Sequence, residues 1–175
     1  MPVRSLQLNN LWLRNLANAV LFQWGWFACL WGGDVVALSI TPLLLMAHGL
    51  LINPPKHEWA FIAVVGCLGF LADSLFSMLG ILQFDDASLG MIPAWLLCLW
   101  LLFASTLMHS LGWLRHRLLL AGLLGAIAGP ASYFAGTKLA PVVLQSPTSY
   151  SLMVLSVFWG ILLPGLYLLA RNMRC

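Results

Sequence analysis

The sequence predicts an all-α fold, a polytopic integral membrane bundle of about six transmembrane helices with both termini on the cytoplasmic side. Composition indicates an integral membrane protein. Of the 175 residues 62% are hydrophobic and only 7% are charged, whereas roughly 25% are charged in soluble domains. Six apolar stretches of about 18 to 22 residues approach the length that crosses a hydrocarbon core. Basic residues beside alternate breaks give the orientation.

Short polar or glycine- and proline-rich breaks separate the predicted spans. The spans cover about residues 15–32, 35–52, 59–80, 92–113, 118–137 and 149–170. The first break, Gly32-Gly33-Asp34, is so short that the first two spans are expected to form a tight helical hairpin. No linker or second compositional region divides the chain, so residues 1–175 are expected to form a single transmembrane domain.

Lysine and arginine positions set the predicted orientation, because basic residues close to a span resist translocation. In a six-span arrangement one side carries Arg4, Arg14, Lys56, Arg115, Arg117, Arg171 and Arg174. Only Lys138 lies on the other side. Both termini are therefore predicted to be cytoplasmic. The formal net charge of +3 arises from flanks that can contact anionic headgroups, so membrane lipids are the expected partners.

Several classes of function are excluded by what the sequence lacks. The four histidines are scattered without a His-x-x-His or His-x-x-x-His pair, and no zinc signature or phosphate-binding glycine loop occurs. Three of the four cysteines lie inside apolar spans, as small hydrophobic residues do. The short loops leave no domain for nucleic acid. We therefore predict no metal, no cofactor and no nucleic-acid partner, and assign no catalytic residue.

Asp73 is the one acidic residue deep inside an apolar span. An ionisable group there costs roughly 2.5 to 3.5 kcal/mol on insertion scales, so it usually faces the bundle interior or a wet cavity. One interpretation is a protonatable site that lines a cavity. The other is a neutral carboxyl that donates a hydrogen bond to Tyr133 or to a backbone carbonyl and thereby fixes helix packing. The spans contain no basic residue at the same depth that could pair with Asp73, so both interpretations stay open.

Small residues form one stripe along the third span and another along the fifth. The stripes contain Gly66, Gly69, Asp73, Ser77 and Gly80 in the third span, and Gly122, Gly125, Gly129, Tyr133 and Gly136 in the fifth. Small residues let helix backbones approach closely, so the glycines are predicted helix-packing positions in the bundle interior. They match at a shift of 56 positions, as from Gly66 to Gly122. That shift suggests that spans three–four and five–six are parallel copies, with chance matching as the alternative.

Polar side chains within the spans fall into two predicted layers. The outer layer holds the candidates for a ligand or proton site: Asp73, Ser77, Ser132, Tyr133, Gln23 and Trp95. The second layer is a cluster towards the cytoplasmic side: Asn15, Asn18, His48 and His109. The two histidines could meet there as a ligand pair, although a carbonyl or a headgroup is the usual partner of an interfacial histidine. The tryptophans inside the spans either line an apolar, lipid-sized pocket or anchor the helices in lipid.

Several short segments occur together in one order along the chain. They are Phe22-Gln23-Trp24-Gly25-Trp26-Phe27, Asp73-Ser74, Pro93-Ala94-Trp95-Leu96 with Leu99-Trp100 and Phe103-Ala104, His109-Ser110-Leu111, and Gly125 to Gly136 (GAIAGPASYFAG). In these segments the chain resembles, over nearly its whole length, a bacterial inner-membrane family catalogued as domain of unknown function 2878. The resemblance implies a compact multi-span protein of the Gram-negative inner membrane, without an assigned reaction, and favours a role in envelope lipid metabolism. The matching residues are Gln23, Asp73, Ser74, Trp95, His109, Ser132 and Tyr133.

Three functions stay open from the sequence. The first, which we prefer, is a non-catalytic component that binds lipid or scaffolds a membrane-associated lipid-modifying enzyme, as tryptophan-rich spans with short loops suggest. The second is a small proton-coupled transporter or lipid flippase, suggested by Asp73 and by Gly129-Pro130 as a helix break. The third is a membrane-embedded lipid-modifying enzyme that uses Asp73 with Tyr133 or His109 as acid and base.

Overall fold

The computed structural model describes residues 10–85 and 87–173. In this part of the chain five α-helices follow one another: α1 Leu11–Ile52, α2 Lys56–Met78, α3 Ala94–Ala104, α4 Leu118–Leu139 and α5 Thr148–Asn172. A 3-10 helix, Gly112–His116, precedes α4, and two short strands, β1 Leu82–Phe84 and β2 Val142–Leu144, follow α2 and α4. The predicted helical class is confirmed, with this small sheet as its one exception among the described residues.

Four of the helices, α1, α2, α4 and α5, are long and apolar enough to cross a membrane. The predicted span 92–113 is interrupted, because α3 has only 11 residues, against the roughly 20 that cross a hydrocarbon core. α3 ends where the hydroxyl groups of Ser105 and Thr106 donate to backbone carbonyls three residues earlier, at 2.7 and 2.6 Å. Such bonds compete with the helical ladder, and turns then continue to the 3-10 helix.

α1 is folded back on itself at Gly33. A straight helix of its 42 residues would be about 63 Å long, yet Nη2 of Arg14 donates to the carbonyl of Ile52 at 2.6 Å. Gly33 has φ 59° and ψ −158°, and this positive φ favours glycine. The first arm of α1 (residues 11–32) and its second arm (residues 34–52) therefore form the tight antiparallel hairpin that the sequence predicts.

Glycines of α2 and α4 let two tryptophan rings lie directly on the helix backbones. A Cβ on Gly69 would overlap the ring of Trp100 in α3, and a Cβ on Gly129 would overlap the ring of Trp159 in α5. A Cβ added to Gly66, Gly122 or Gly125 would also lie 3.0 Å or less from an atom of α3 or α5. Around Gly136 the space is ordinary, with the nearest atom, on Val142, 3.8 Å away.

Gly80 ends α2 instead of packing it against a neighbour. Its φ is 71°, its N–H donates to the carbonyl of Ser77 at 3.0 Å, and the N–H of Ile81 donates to the carbonyl of Phe76 at 2.9 Å. This is the Schellman pattern, in which a glycine with positive φ follows the last helical residues. The sequence could not separate the two roles, because Gly80 continues the three-and-four spacing of the stripe.

The helices form two groups that the sheet connects. α3 packs against α1 and α2, whereas α5 packs against α4. β1 and β2 pair antiparallel with Gln83 opposite Val143, and they join the loop after α2 to the loop after α4. The sequence predicts turns in these segments, since strands of three residues are too short to give a clear period of two.

The same helix–strand–helix order occurs twice, as α2–β1–α3 and as α4–β2–α5. In each unit a tryptophan of the second helix covers a glycine of the first: Trp100 covers Gly69, and Trp159 covers Gly129. The two glycines are 60 positions apart, as are the two residues paired at the centre of the sheet. These matches lie at an offset of 60 positions and not at the 56 of the glycine pattern, which would pair Gly80 at the end of α2 with Gly136 inside α4. The duplication stays a prediction.

Candidate functional site

An apolar cavity of about 620 Å³ lies between the first arm of α1, α3, α4 and α5. Among the described residues nine aromatic side chains line it: Phe22, Trp26, Phe84, Trp95, Trp100, Phe103, Trp113, Tyr133 and Trp159. The rings of Trp100 and Trp159 stack in parallel, with centroids 5.1 Å apart and an angle of 5° between their planes. Because each ring lies against a glycine of the neighbouring helix, the wall is held in place where α3 meets α5.

The cavity opens sideways, between the first arm of α1 and α4. The exposed residues that line the cavity are Gln23 on α1, Trp113 on the 3-10 helix, and Leu124, Ala128, Ala131 and Ser132 on α4. Across this opening Nε1 of Trp26 donates a hydrogen bond of 3.3 Å to the hydroxyl of Ser132. The opening therefore lies on the flank of two apolar helices and offers two polar side chains, those of Gln23 and Ser132.

Asp73 lies behind the cavity wall and is fully buried. Its Oδ2 accepts a hydrogen bond of 2.6 Å from Nε1 of Trp100, and its Oδ1 accepts one of 2.6 Å from the hydroxyl of Tyr133. Both donors line the cavity, whereas Asp73 is not among the lining residues. The carboxylate thus connects α2 to α3 and α4, and it accepts from Tyr133 where one interpretation of the sequence had it donate.

The outer-layer candidates separate in the structure. Gln23, Trp95, Ser132 and Tyr133 line the cavity, whereas Asp73 and Ser77 do not. Trp95 also fixes the start of α3, since its N–H donates to Oδ1 of Asp34 at 2.8 Å. The sequence interpretation missed Asp34 as a helix cap, because it lies next to the hairpin turn, far along the chain from α3.

A second polar cluster joins the second arm of α1, the first turn of α2 and the turns after α3. Glu58, which is buried, contacts Nε2 of His48 through Oε1 at 3.1 Å, and Nε2 of His109 through Oε1 and Oε2 at 2.9 and 3.0 Å. The two imidazole centroids are 5.1 Å apart. We refer to His48, Glu58 and His109 as the histidine–glutamate cluster.

Asn18 orients one histidine of this cluster. Its Oδ1 accepts from the N–H and the hydroxyl of Ser110, at 3.2 and 2.7 Å, and its Nδ2 donates to the carbonyl of Ser105 at 3.0 Å. These bonds leave Nδ2 facing Nδ1 of His48 at 3.4 Å. Nδ1 is therefore the acceptor, and Nε2 of His48 carries the proton that it donates to Glu58.

Three of the four residues predicted on the cytoplasmic side, Asn18, His48 and His109, are thus brought together. For the fourth, Asn15, the structure gives a buried Oδ1 without a hydrogen bond among the described residues. The sequence interpretation missed Glu58, because it assigned this residue to the polar break between two spans. An acidic residue at the very start of an apolar span was the available signal.

Four membrane-length apolar helices, three of which line a sideways-opening cavity, indicate an integral membrane protein with two buried polar clusters. The chain belongs to the family described as Protein of unknown function (DUF2878), whose family model matches residues 15–165. The family predicted from the sequence motifs is therefore confirmed. No curated protein and no solved structure matches the chain.

Proposed function

We propose that this protein is a multi-pass, non-catalytic membrane component that holds the hydrocarbon chain of a membrane lipid in the cavity. The observation that carries the proposal is the sideways opening between α1 and α4, bordered by Gln23 and Ser132. A lipid chain can enter such an opening from the bilayer without crossing water. A volume of about 620 Å³ also lies within the range of roughly 300 to 1,000 Å³ that ligand pockets occupy.

The polar side chains at the opening have a role in this proposal. The wall is apolar and aromatic, which suits an acyl or isoprenoid chain. The amide of Gln23 and the hydroxyl of Ser132 would then bond an ester, amide or hydroxyl group where the chain meets its headgroup. Asp73 would act indirectly, because it holds Trp100 and Tyr133 of the wall at 2.6 Å each.

Six membrane crossings, both termini in the cytoplasm and a location in the bacterial inner membrane complete the proposal. The crossings would be the two arms of α1, then α2, α3 with its following turns, α4 and α5. Contacts of Arg14 with the carbonyl of Ile52, and of Arg171 with that of Arg115, support it. They gather basic residues at one end of the bundle, as the positive-inside rule expects.

We place the protein in envelope lipid metabolism, where it would present its bound lipid to a membrane-associated lipid-modifying enzyme. A proton-coupled carrier and an embedded enzyme are weaker proposals. Asp73, which either would use, is fully buried and already accepts two hydrogen bonds. It has the environment of a group that fixes packing.

Filling the cavity tests lipid binding. Ala128→Trp places a large ring in the cavity from an exposed position of α4, whereas Ile127→Trp adds the same ring at a neighbouring exposed position that does not line it. Native mass spectrometry should find one lipid class on the wild type and on Ile127→Trp, and less of it on Ala128→Trp. Equal, unselective lipid on all three proteins would refute the proposal. Lipid transfer between leaflets of liposomes, abolished by Ala128→Trp, would instead favour a carrier.

A further inference from the structure

The histidine–glutamate cluster is not part of the proposed lipid cavity. We propose that it binds a first-row divalent transition-metal ion of the Zn²⁺ type, an inference that does not depend on lipid binding. One ligand atom from each of His48, Glu58 and His109 lies within 4.8 Å of the others. The sequence predicts no metal site, because these ligands come from distant segments and match no local motif.

The donor set fits such an ion. Two imidazole nitrogens and one carboxylate bind Zn²⁺ at catalytic sites and Fe²⁺ in the facial triad, and both types leave positions open for water or another ligand. Ligand atoms held tetrahedrally at about 2.1 Å from an ion are roughly 3.4 Å apart. The nitrogen–oxygen distances in the cluster are 2.9 to 3.1 Å. A bound ion therefore requires each nitrogen–oxygen pair to separate by a few tenths of an ångström, and it requires the two imidazole nitrogens, which lie within 4.8 Å of each other, to take up the same spacing.

The ligands are held ready and can be reached. The side chains of His48 and Glu58 are each 2% exposed and that of His109 is 10% exposed. The ring of Trp59 packs edge-on against His48, with centroids 5.9 Å apart. His109 therefore marks the side from which an ion and its remaining water would enter.

Binding requires both histidines to change their tautomer, because Nε2 of His109 also donates to the carboxylate of Glu58. An ion at Nε2 displaces the proton now donated to Glu58, and the neutral ring then carries its proton on Nδ1. The hydrogen bonds of both rings to Glu58 are then replaced by bonds to the ion, and the 3.4 Å contact of His48 with Asn18 is lost because two donors would face each other. The bonds of Asn18 to Ser105 and Ser110 remain.

Cobalt(II) titration of the full-length protein tests the site. The protein is purified in mild detergent, treated with a chelator and titrated with Co²⁺, whose visible absorption reports its coordination, followed by displacement with Zn²⁺. We expect one equivalent per chain, with a spectrum of nitrogen and oxygen ligands only. Glu58→Gln, His48→Gln and His109→Gln should each weaken binding at least tenfold. The matched control is His116→Gln, an exposed histidine of the 3-10 helix, which should bind like the wild type.

Glu58→Gln decides the outcome, because glutamine keeps the size and one acceptor of glutamate but removes the anionic ligand. Its elution and thermal unfolding without metal should match the wild type. A Glu58→Gln protein that folds normally and still binds Co²⁺ with wild-type affinity would overturn the proposal. So would a wild type without saturable binding, or binding that His116→Gln removes.

Discussion

Two buried carboxylates on α2 have partners of different kinds. Glu58 and Asp73 are roughly 22 Å apart along the helix axis, and each accepts hydrogen bonds from two side chains. The donors to Asp73 are an indole, which can only donate, and a phenol. The partners of Glu58 are imidazoles, whose nitrogens can exchange donor and acceptor roles.

Asp73 therefore makes a fixed connection between helices, whereas the hydrogen bonds around Glu58 can rearrange. Asp73 holds α2, α3 and α4 together behind the cavity, and one of its donors, Trp100, has no alternative role to adopt. Around Glu58 the proton arrangement can change without a change in packing. We therefore expect substitutions at Asp73 to act on stability and on the cavity, and substitutions at Glu58 to act on the binding of cations.

The largest effect is expected from Asp73→Leu. This change leaves the N–H of Trp100 and the hydroxyl of Tyr133 buried without their acceptor, at about 1 to 3 kcal/mol for each. The free energy of unfolding, followed by circular dichroism during SDS titration in mixed micelles, should fall by about 2 to 6 kcal/mol. A loss below about 1 kcal/mol would show that the two donors find other partners, and the contrast with Glu58 would disappear.

Amide substitutions test the contrast with the smallest change in shape. In Asp73→Asn the amide oxygen can serve Trp100, and the amide nitrogen can donate to the phenol oxygen of Tyr133, but the O–H of Tyr133 then has lost its acceptor, so we expect a loss of about 2 kcal/mol. In Glu58→Gln an imidazole can change tautomer and accept from the new amide, so the loss should stay below about 1 kcal/mol. The same unfolding titration compares both proteins. Equal losses would contradict the distinction between fixed and adaptable partners.

Two tyrosines, Tyr133, which is half-buried, and Tyr167, which is buried, provide a pair for the hydroxyl at Asp73. Tyr133 donates to the carboxylate, whereas Tyr167 donates to the backbone carbonyl of Leu111 at 2.8 Å. Bonds to charged groups contribute about 1.5 to 3 kcal/mol and neutral ones about 0.5 to 1.5. Tyr133→Phe should therefore destabilise the protein by roughly 1 kcal/mol more than Tyr167→Phe in thermal or SDS unfolding. The reverse order would indicate that Asp73 is held mainly by Trp100.

The smallest effect on stability is expected at Ser110, which holds Asn18 beside the histidine–glutamate cluster. Ser110→Ala removes the 2.7 Å bond to Asn18 but keeps the backbone N–H on the same oxygen, so the loss should be about 0.5 to 1 kcal/mol. Ser132→Ala, at the exposed cavity opening, should change stability less than this. If the two variants unfold alike, Asn18 does not depend on Ser110 for its orientation.

Local chemistry decided which features could be predicted from the sequence. Asp73 was recognisable because a carboxylate deep in an apolar span has few acceptable environments, and the hairpin was recognisable from its glycine turn. Glu58 was not, since a polar residue at a span end normally faces water or headgroups. Its burial depends on His48 and His109, which only the packing of α1, α2 and the turns after α3 brings together.

The cavity was predictable only in part. Tryptophans within the spans suggested either an apolar pocket or anchoring of the helices in lipid, and Gln23, Trp95, Ser132 and Tyr133 do line a pocket. Its opening between α1 and α4 follows from the way these helices pack mainly against α3 and α5, a tertiary arrangement that periodicity does not encode. The two-stranded sheet was missed because it pairs segments 60 positions apart.

Photocrosslinking at the opening examines the proposed lipid site in the intact membrane. A photoreactive amino acid would replace Ala131, an exposed residue that lines the cavity, and in a second protein Ile127, which is exposed on α4 but outside it. Mass spectrometry would then identify the lipids attached at each position. We expect one lipid class to be enriched at position 131 and bulk membrane lipids at position 127. The same unselective lipid mixture at both positions would contradict a lipid-binding cavity.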